Sequence, residues 1–181
     1  ASRRFDISSE NLAVFDSQMS ALADYSFWLR FHTTSFADRI FGMFSRAGSD
    51  DLPFLERLEI TCFPFEFWGR GTLSQILVQE RFWIWFDSRA YVIASVCREE
   101  AEIERIGVMP AHQGKGVGTT ILGFALDQLR AQNVERIYLE VNEHNIAARR
   151  LYAHFGFVLD GVRPDYYGDG GDAILMSLTV K

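Results

Sequence analysis

A chain of 181 residues, 48% apolar and 14% aromatic, is long enough for one domain and too rich in core-forming side chains to be largely disordered. Its formal net charge of −6 disfavours non-specific binding to nucleic acid or to an anionic membrane and would steer a cationic ligand toward it. The two cysteines, Cys62 and Cys97, are far apart without metal-type spacing, which suits reduced core thiols in a cytoplasmic setting. No window reaches the ~18 apolar residues of a membrane span. The best candidate, Ser20 to Phe31, is interrupted by Asp24 and Arg30 and lacks the form of a signal peptide.

In chain order, Asn11 to Phe31 sets Leu12, Phe15, Met19, Leu22, Ser26 and Leu29 at helical spacing, predicting one or two helices within an extension over residues 1–38. Ile40 to Phe44 reads as a strand. Ser49-Asp50-Asp51 before Leu52-Pro53 starts a helix with acidic caps and a first-turn proline; Leu52, Leu55 and Leu58 face inward before it ends near Thr61. An aromatic loop, Cys62 to Trp68, leads to a short helix over Thr72 to Val78. Phe82 to Phe86 and Ala90 to Val96 form a hairpin around Asp87-Ser88. The first of these strands has no polar alternation, so both of its faces should be covered.

Ile103 to Val108 is the next strand, followed by Met109-Pro110 and a glycine-rich turn. A helix then runs from Gly116 to about Ala131, with Val117, Ile121, Leu122, Ala125 and Leu129 on one stripe. Arg136 to Val141 is a strand, Ile146 to Phe155 a helix, and Phe157 to Leu159 and Ala173 to Thr179 the closing strands. The order is that of an α/β domain with an antiparallel front half and a β-loop-α-β unit behind.

The turn, Gln113-Gly114-Lys115-Gly116-Val117-Gly118, carries the most chemistry. Alternating glycines let the backbone fold tightly and bring several amides to one point. The helix that follows adds its own unpaired N–H groups and the positive end of its dipole, a combination suited to phosphate. The spacing is wrong for a P-loop, and G-x-G-x-G is not the dinucleotide fingerprint G-x-G-x-x-G.

Gln113-x-x-Gly116-x-Gly118, preceded by Ile106-Gly107-Val108-Met109-Pro110, resembles the acyl-CoA pyrophosphate signature of the GNAT superfamily of N-acetyltransferases. Downstream, Leu139-Glu140-Val141, Asn145-x-Ala147-Ala148, Leu151-Tyr152, Phe155-Gly156-Phe157 and Arg163-Pro164-Asp165-Tyr166-Tyr167 follow in the order and spacing of its RimI type. That type acetylates the N-terminal amine of a ribosomal protein. The resemblance covers residues 39–181 and implies a GNAT fold: a mixed, mostly antiparallel sheet of about seven strands with a splayed central pair, flanked by helices. Residues 1–38 are extra relative to that pattern.

The resemblance also implies the chemistry. Amides of Gly114 to Gly118 would cradle the pyrophosphate of acetyl-CoA, with Thr119 as an extra donor. Lys115 would either neutralise charge or stand as a solvated loop cation. Ile106, Gly107 and Val108 would offer backbone bonds to the pantetheine arm, and an amide there would stabilise the oxyanion. Asn145 is read as a pantetheine contact, as a helix N-cap, or as both.

Glu140 matches the family's general base and Tyr152 its general acid. The alternatives are a solvent-facing edge glutamate and a core tyrosine. Phe63, Tyr166 and Tyr167 would line the acceptor groove. The implied partners are acetyl-CoA and a peptide or protein N-terminus, without nucleic acid, membrane or metal, in a monomer or homodimer. A lysine, polyamine or aminoglycoside acceptor remains open, as does a non-catalytic CoA-binding module.

Overall fold

The computed structural model describes residues 44–168 and 170–180. The helical extension expected over residues 1–38, and all but the last residue of the strand expected from Ile40, lie outside the described residues. Phe44 leads directly into strand β1, Ser45–Arg46. A 3-10 turn, Ser49–Asp51, then opens helix α1 (Leu52–Cys62), followed by α2 (Arg70–Leu77), β2 (Phe82–Phe86), β3 (Ala90–Cys97) and β4 (Glu100–Val108). After a second 3-10 turn, Pro110–His112, come α3 (Val117–Arg130), β5 (Arg136–Asn142), α4 (Ile146–His154), β6 (Val158–Arg163) and β7 (Ala173–Thr179).

The largest differences from the sequence reading are in β4 and β6. β4 begins at Glu100, three residues before its apolar core, and pairs there with Cys97. β6 runs on to Arg163 as an exposed edge strand whose Asp160-Gly161 looks like a turn in isolation. Pairing with β7 holds both residues in the strand's path, with a register irregularity between Leu159 and Gly161. Elsewhere the boundaries move by a residue or two. Gly116, for instance, is the left-handed cap of α3, at φ +78°, rather than its first turn.

The strands form one sheet in the order β1-β2-β3-β4-β5-β7-β6. Neighbours are antiparallel except β4 and β5, which run parallel. A parallel pair needs a crossover, and α3 supplies it. Its stripe, Val117, Ile121, Leu122, Ala125, Leu126 and Leu129, is buried on one face of the sheet against Ile103, Ile137, Leu139 and Val92. Helices α1 and α2 cover the other face, burying Leu55, Leu58, Leu73 and Ile76 against Ile84, Phe86, Tyr91 and Ile93. β2 therefore contributes Trp85 to one core and Ile84 and Phe86 to the other, the two-sided cover expected of its unbroken apolar run.

Where β3 and β4 pair, the register steps from Ala94↔Ile103 to Ile93↔Arg105, leaving Glu104 as an extra residue. Such a bulge reverses the alternation of the strand. Before it, Ala101 and Ile103 face the α3 core; after it, Ile106 and Val108 do. Arg105 and Gly107 are thereby turned to the α1 side.

Candidate active site

β4 and β5 pair from Glu100↔Arg136 to Ile103↔Leu139, although both strands continue. Pairing stops at the bulge. An extra residue bends its strand and increases the local twist, which turns the second half of β4 away from β5. A groove of about 500 Å³ lies at this opening. Glu102 to Ile106 line it from β4, Glu140 to Asn142 from β5, and Asn145 and Tyr152 from α4. Phe63, Glu66 and Trp68 of the aromatic loop and Tyr166 and Tyr167 of the β6–β7 loop complete it.

Alternation along β5 decides what Glu140 does. Ile137, Leu139 and Val141 go into the α3 core, so Glu140 points to the opposite face, on a strand flanked by both β4 and β7. It is not on a sheet edge. Arg163 of β6 donates to its carboxylate at 3.0 and 3.3 Å and lies 4.8 Å from the ring of Tyr166, which meets Tyr167 edge-on at 5.1 Å. The base candidate is thus oriented by the strand and loop that form one wall of the groove. Glu102 stands nearby; burial, then the charges of Glu104 and Glu140, raise its pKa, with Arg163 opposing.

Tyr152 is 8% exposed, packs against Phe157 at 5.8 Å and still borders the groove. It is a core residue that also reaches the groove. Burial, with a smaller effect from Tyr167, pushes its phenol up to about 12. It therefore keeps its proton at neutral pH and is available there as a proton donor. Asn145 accepts a hydrogen bond from the Ala148 amide at 3.1 Å as the N-cap of α4, and lines the groove as well.

The glycine turn stands at the end of β4, outside the groove lining. Gly114 and Gly116 adopt φ of +68° and +78°, where a Cβ is costly. Apart from its chain neighbours, no described residue lies within 4 Å of where a Cβ on either would stand, so this face of the turn is open. Val117 buries its side chain, leaving its amide, with those of Gly118 and Thr119, as first-turn donors that have no acceptor within the helix. Thr120 closes the first helical bond to the Gly116 carbonyl at 3.0 Å. The cradle fits a pyrophosphate on these grounds.

Gln113 is exposed, and its side-chain amide donates to the Val108 carbonyl at 3.1 Å, tying the turn to the strand. The Lys115 ammonium donates to the Ala111 carbonyl at 2.8 Å and remains exposed. Gly107 has a structural cause: a Cβ there would come within 2.2 Å of the Tyr91 ring.

The residues that sequence reasoning missed stand behind the aromatic loop. Glu59 of α1 is fully buried, and its carboxylate accepts from the Tyr91 hydroxyl, the Arg105 guanidinium and, at 2.8 Å, the Trp68 amide. Arg105 also donates twice to the Glu66 carbonyl, both at 3.0 Å, between the rings of Phe63 at 4.2 Å and Trp68 at 4.8 Å. A signal for this was present: the apolar positions 101, 103, 106 and 108 of β4 skip a step, which marks a bulge and a reversed Arg105. Burial beside Glu59 pushes the Cys62 thiol up to about 12, making it a poor nucleophile. Among the described residues no group of three His, Cys, Asp or Glu side chains could hold a metal, and no helix is long and apolar enough to cross a membrane.

A family model for the "Acetyltransferase (GNAT) family" matches residues 52–157. The [ribosomal protein bS18]-alanine N-acetyltransferase of Escherichia coli (strain K12) is 37% identical over 95 residues, 51% of this chain and 64% of that protein. The protein of the same name from Haemophilus ducreyi is 29% identical over 119 residues, 61% of this chain and 82% of its own length. The chain thus spans less than two thirds of the Escherichia coli relative. Among solved structures, the crystal structure of the ribosomal-protein-S18-alanine N-acetyltransferase from Escherichia coli superposes with a TM-score of 0.68 at 30% identity, covering 77% of this chain and 95% of that one.

Proposed function

The chain belongs to the GNAT acetyltransferase family, and from that premise we propose that it moves an acetyl group from acetyl-CoA to the N-terminal α-amine of a protein, by direct transfer in a ternary complex. The observation that carries this reading is the opened β4–β5 pair, where Glu140 and Tyr152 border one groove beside an open amide cradle. Acetyl-CoA supplies the thioester whose acyl carbon the amine attacks. The amides of Gly114 to Thr119 hold its pyrophosphate, and the β5-facing edge of Ile106 to Val108 receives the pantetheine arm as an added strand would be received.

Glu140 takes the proton that the acceptor ammonium must lose, directly or through a water, while Arg163 fixes the carboxylate's direction. Tyr152 returns a proton to the departing sulfur. Phe63, Tyr166 and Tyr167 flank the incoming peptide. The relatives named above act on an alanine of ribosomal protein bS18, so a ribosomal N-terminus is the first acceptor to test.

The test is thiol release with peptides bearing free or blocked N-termini. Transfer to the free peptide alone is expected; equal rates on both would overturn the N-terminal assignment. Glu140→Gln should lower kcat by about 10²-fold or more. Because the Tyr152 phenol stays protonated to about 12, kcat should show no alkaline fall from this group below about pH 10.

One observation favours a second acceptor class. Glu66, Glu102 and Glu104 line the groove with Glu140, an acidic lining that suits a polyamine or lysine. Faster transfer to such amines in a side-by-side panel would select that reading.

A further inference from the structure

Glu59 is a fully buried carboxylate to which the proposed reaction gives no role, and Arg105 is its guanidinium partner on the groove lining. A buried ion pair is poor evidence for stability, since desolvating two charges costs about as much as their attraction returns. Its value is directional. Here one guanidinium, 13% exposed, ties three separate pieces of chain to a single point on β4. It meets the Glu59 carboxylate of α1, the Glu66 carbonyl in mid-loop, and the faces of Phe63 and Trp68 at the loop's two ends.

Cys62, Phe63 and Trp68 pack at the margin of the α1–α2 core, and polar contacts fix the rest of the loop. Its backbone bonds are Phe63 to Glu59 at 2.8 Å and Glu66 to Phe63 at 3.2 Å, and the Trp68 amide is held by the Glu59 side chain. With Phe63 and Trp68 stacked on Arg105, Phe65 is left 86% and Phe67 40% exposed. The second anchor, the Tyr91 hydroxyl, reaches Glu59 across the space that Gly107 leaves open.

We infer that the Glu59–Arg105 pair is a positioning device for the acceptor: it holds the 62–68 loop as the acceptor wall of the groove while leaving the acetyl-CoA side untouched. The inference rests on the proposed reaction for its kinetic consequence but not for its structural one. Neither residue has a part in the proton transfers of the proposed reaction. Arg105 donates to a carboxylate and a carbonyl at once and stacks as a flat cation, which the single point charge of lysine cannot do.

The experiment compares the wild-type chain with Arg105→Met, Arg105→Lys and the charge-free double variant Glu59→Gln/Arg105→Met, which leaves no lone buried charge. Acetyl-CoA binding checks that each variant is folded. Hydrogen exchange at the Trp68 amide should quicken by about tenfold or more in Arg105→Met and in the double variant, with the 113–119 turn unchanged. In the transfer assay the acceptor KM should rise about tenfold, while kcat and the acetyl-CoA KM stay within about threefold. Arg105→Lys should recover part of both effects.

Unchanged exchange at Trp68, or acceptor and acetyl-CoA KM rising together, would overturn the inference. Absence of peptide acetylation by the wild-type chain would instead count against the proposed reaction, and the exchange readout would still decide the clamp.

Discussion

The two ends of the site are built on opposite plans. The cradle after β4 is made of backbone: consecutive residues from Gln113 to Thr119, two of them left-handed glycines, with the first turn of α3 behind them. The proposed acceptor wall is made of side chains brought together from far apart, Glu59 meeting Arg105 across 46 positions and Tyr91 across 32. A backbone cradle binds what every acyl-CoA shares. A side-chain wall can be rebuilt without disturbing that cradle, so one fold can keep its acyl donor and change its amine.

The sharpest way to break this contrast is where the two ends meet. Tyr152→Phe keeps the ring in its place against Phe157 but removes the proton donor, and should lower kcat by about 10²-fold with both KM values little changed. Stopped-flow or steady-state thiol release reads this. Unchanged turnover would remove Tyr152 from the mechanism and leave the groove to binding alone.

Next in size is a change confined to the cradle. Gly116→Ala puts a Cβ on a residue at φ +78°, at a cost of roughly 1–2 kcal/mol. The acetyl-CoA KM should rise about tenfold with the acceptor KM unmoved, the mirror image of the Arg105 variants. A parallel rise of both would mean that the two ends are not separable.

Gly107→Ala attacks the wall from behind. The added Cβ meets the Tyr91 ring at 2.2 Å, so the ring must shift or the strand must yield. Overpacking of this kind costs about 1–3 kcal/mol. A fall in Tm of about 2–4 °C per kcal/mol is expected, with a weaker acceptor KM as Tyr91 loses Glu59. The smallest effect is chemical. Since burial and the neighbouring Glu59 hold the Cys62 thiol at about 12, it is protonated near pH 8, and a thiol reagent should label exposed Cys97 well before it. Faster labelling of Cys62 would show that α1 and its loop open readily.

The contrast also explains what could be read without coordinates. The strand-turn-helix at residues 103–131 was legible because its periodicity, its glycines and its caps are all local. So was the two-sided burial of β2, because Phe82-Trp83-Ile84-Trp85-Phe86 offers no polar face. Glu140 and Tyr152 were legible only through spacing shared with a family. Alternation along β5 turns Glu140 away from the α3 core, but that it meets Arg163 depends on β6 lying beyond β7 in the sheet. Glu59 and Arg105 belong to no motif: the skipped step in β4 marks the bulge and the reversed Arg105, but no local rule shows that the reversed side chain meets a buried carboxylate of α1.

By itself, then, the sequence determined the order of elements in the described residues and the glycine turn before α3, because each depends on hydrogen bonds and dihedral preferences spanning a few residues. Tertiary structure decided where β4 and β5 separate, which way their charged side chains point, and which buried carboxylate anchors the aromatic loop. Those outcomes turn on strand register, and one residue of slip moves a side chain to the other face of the sheet.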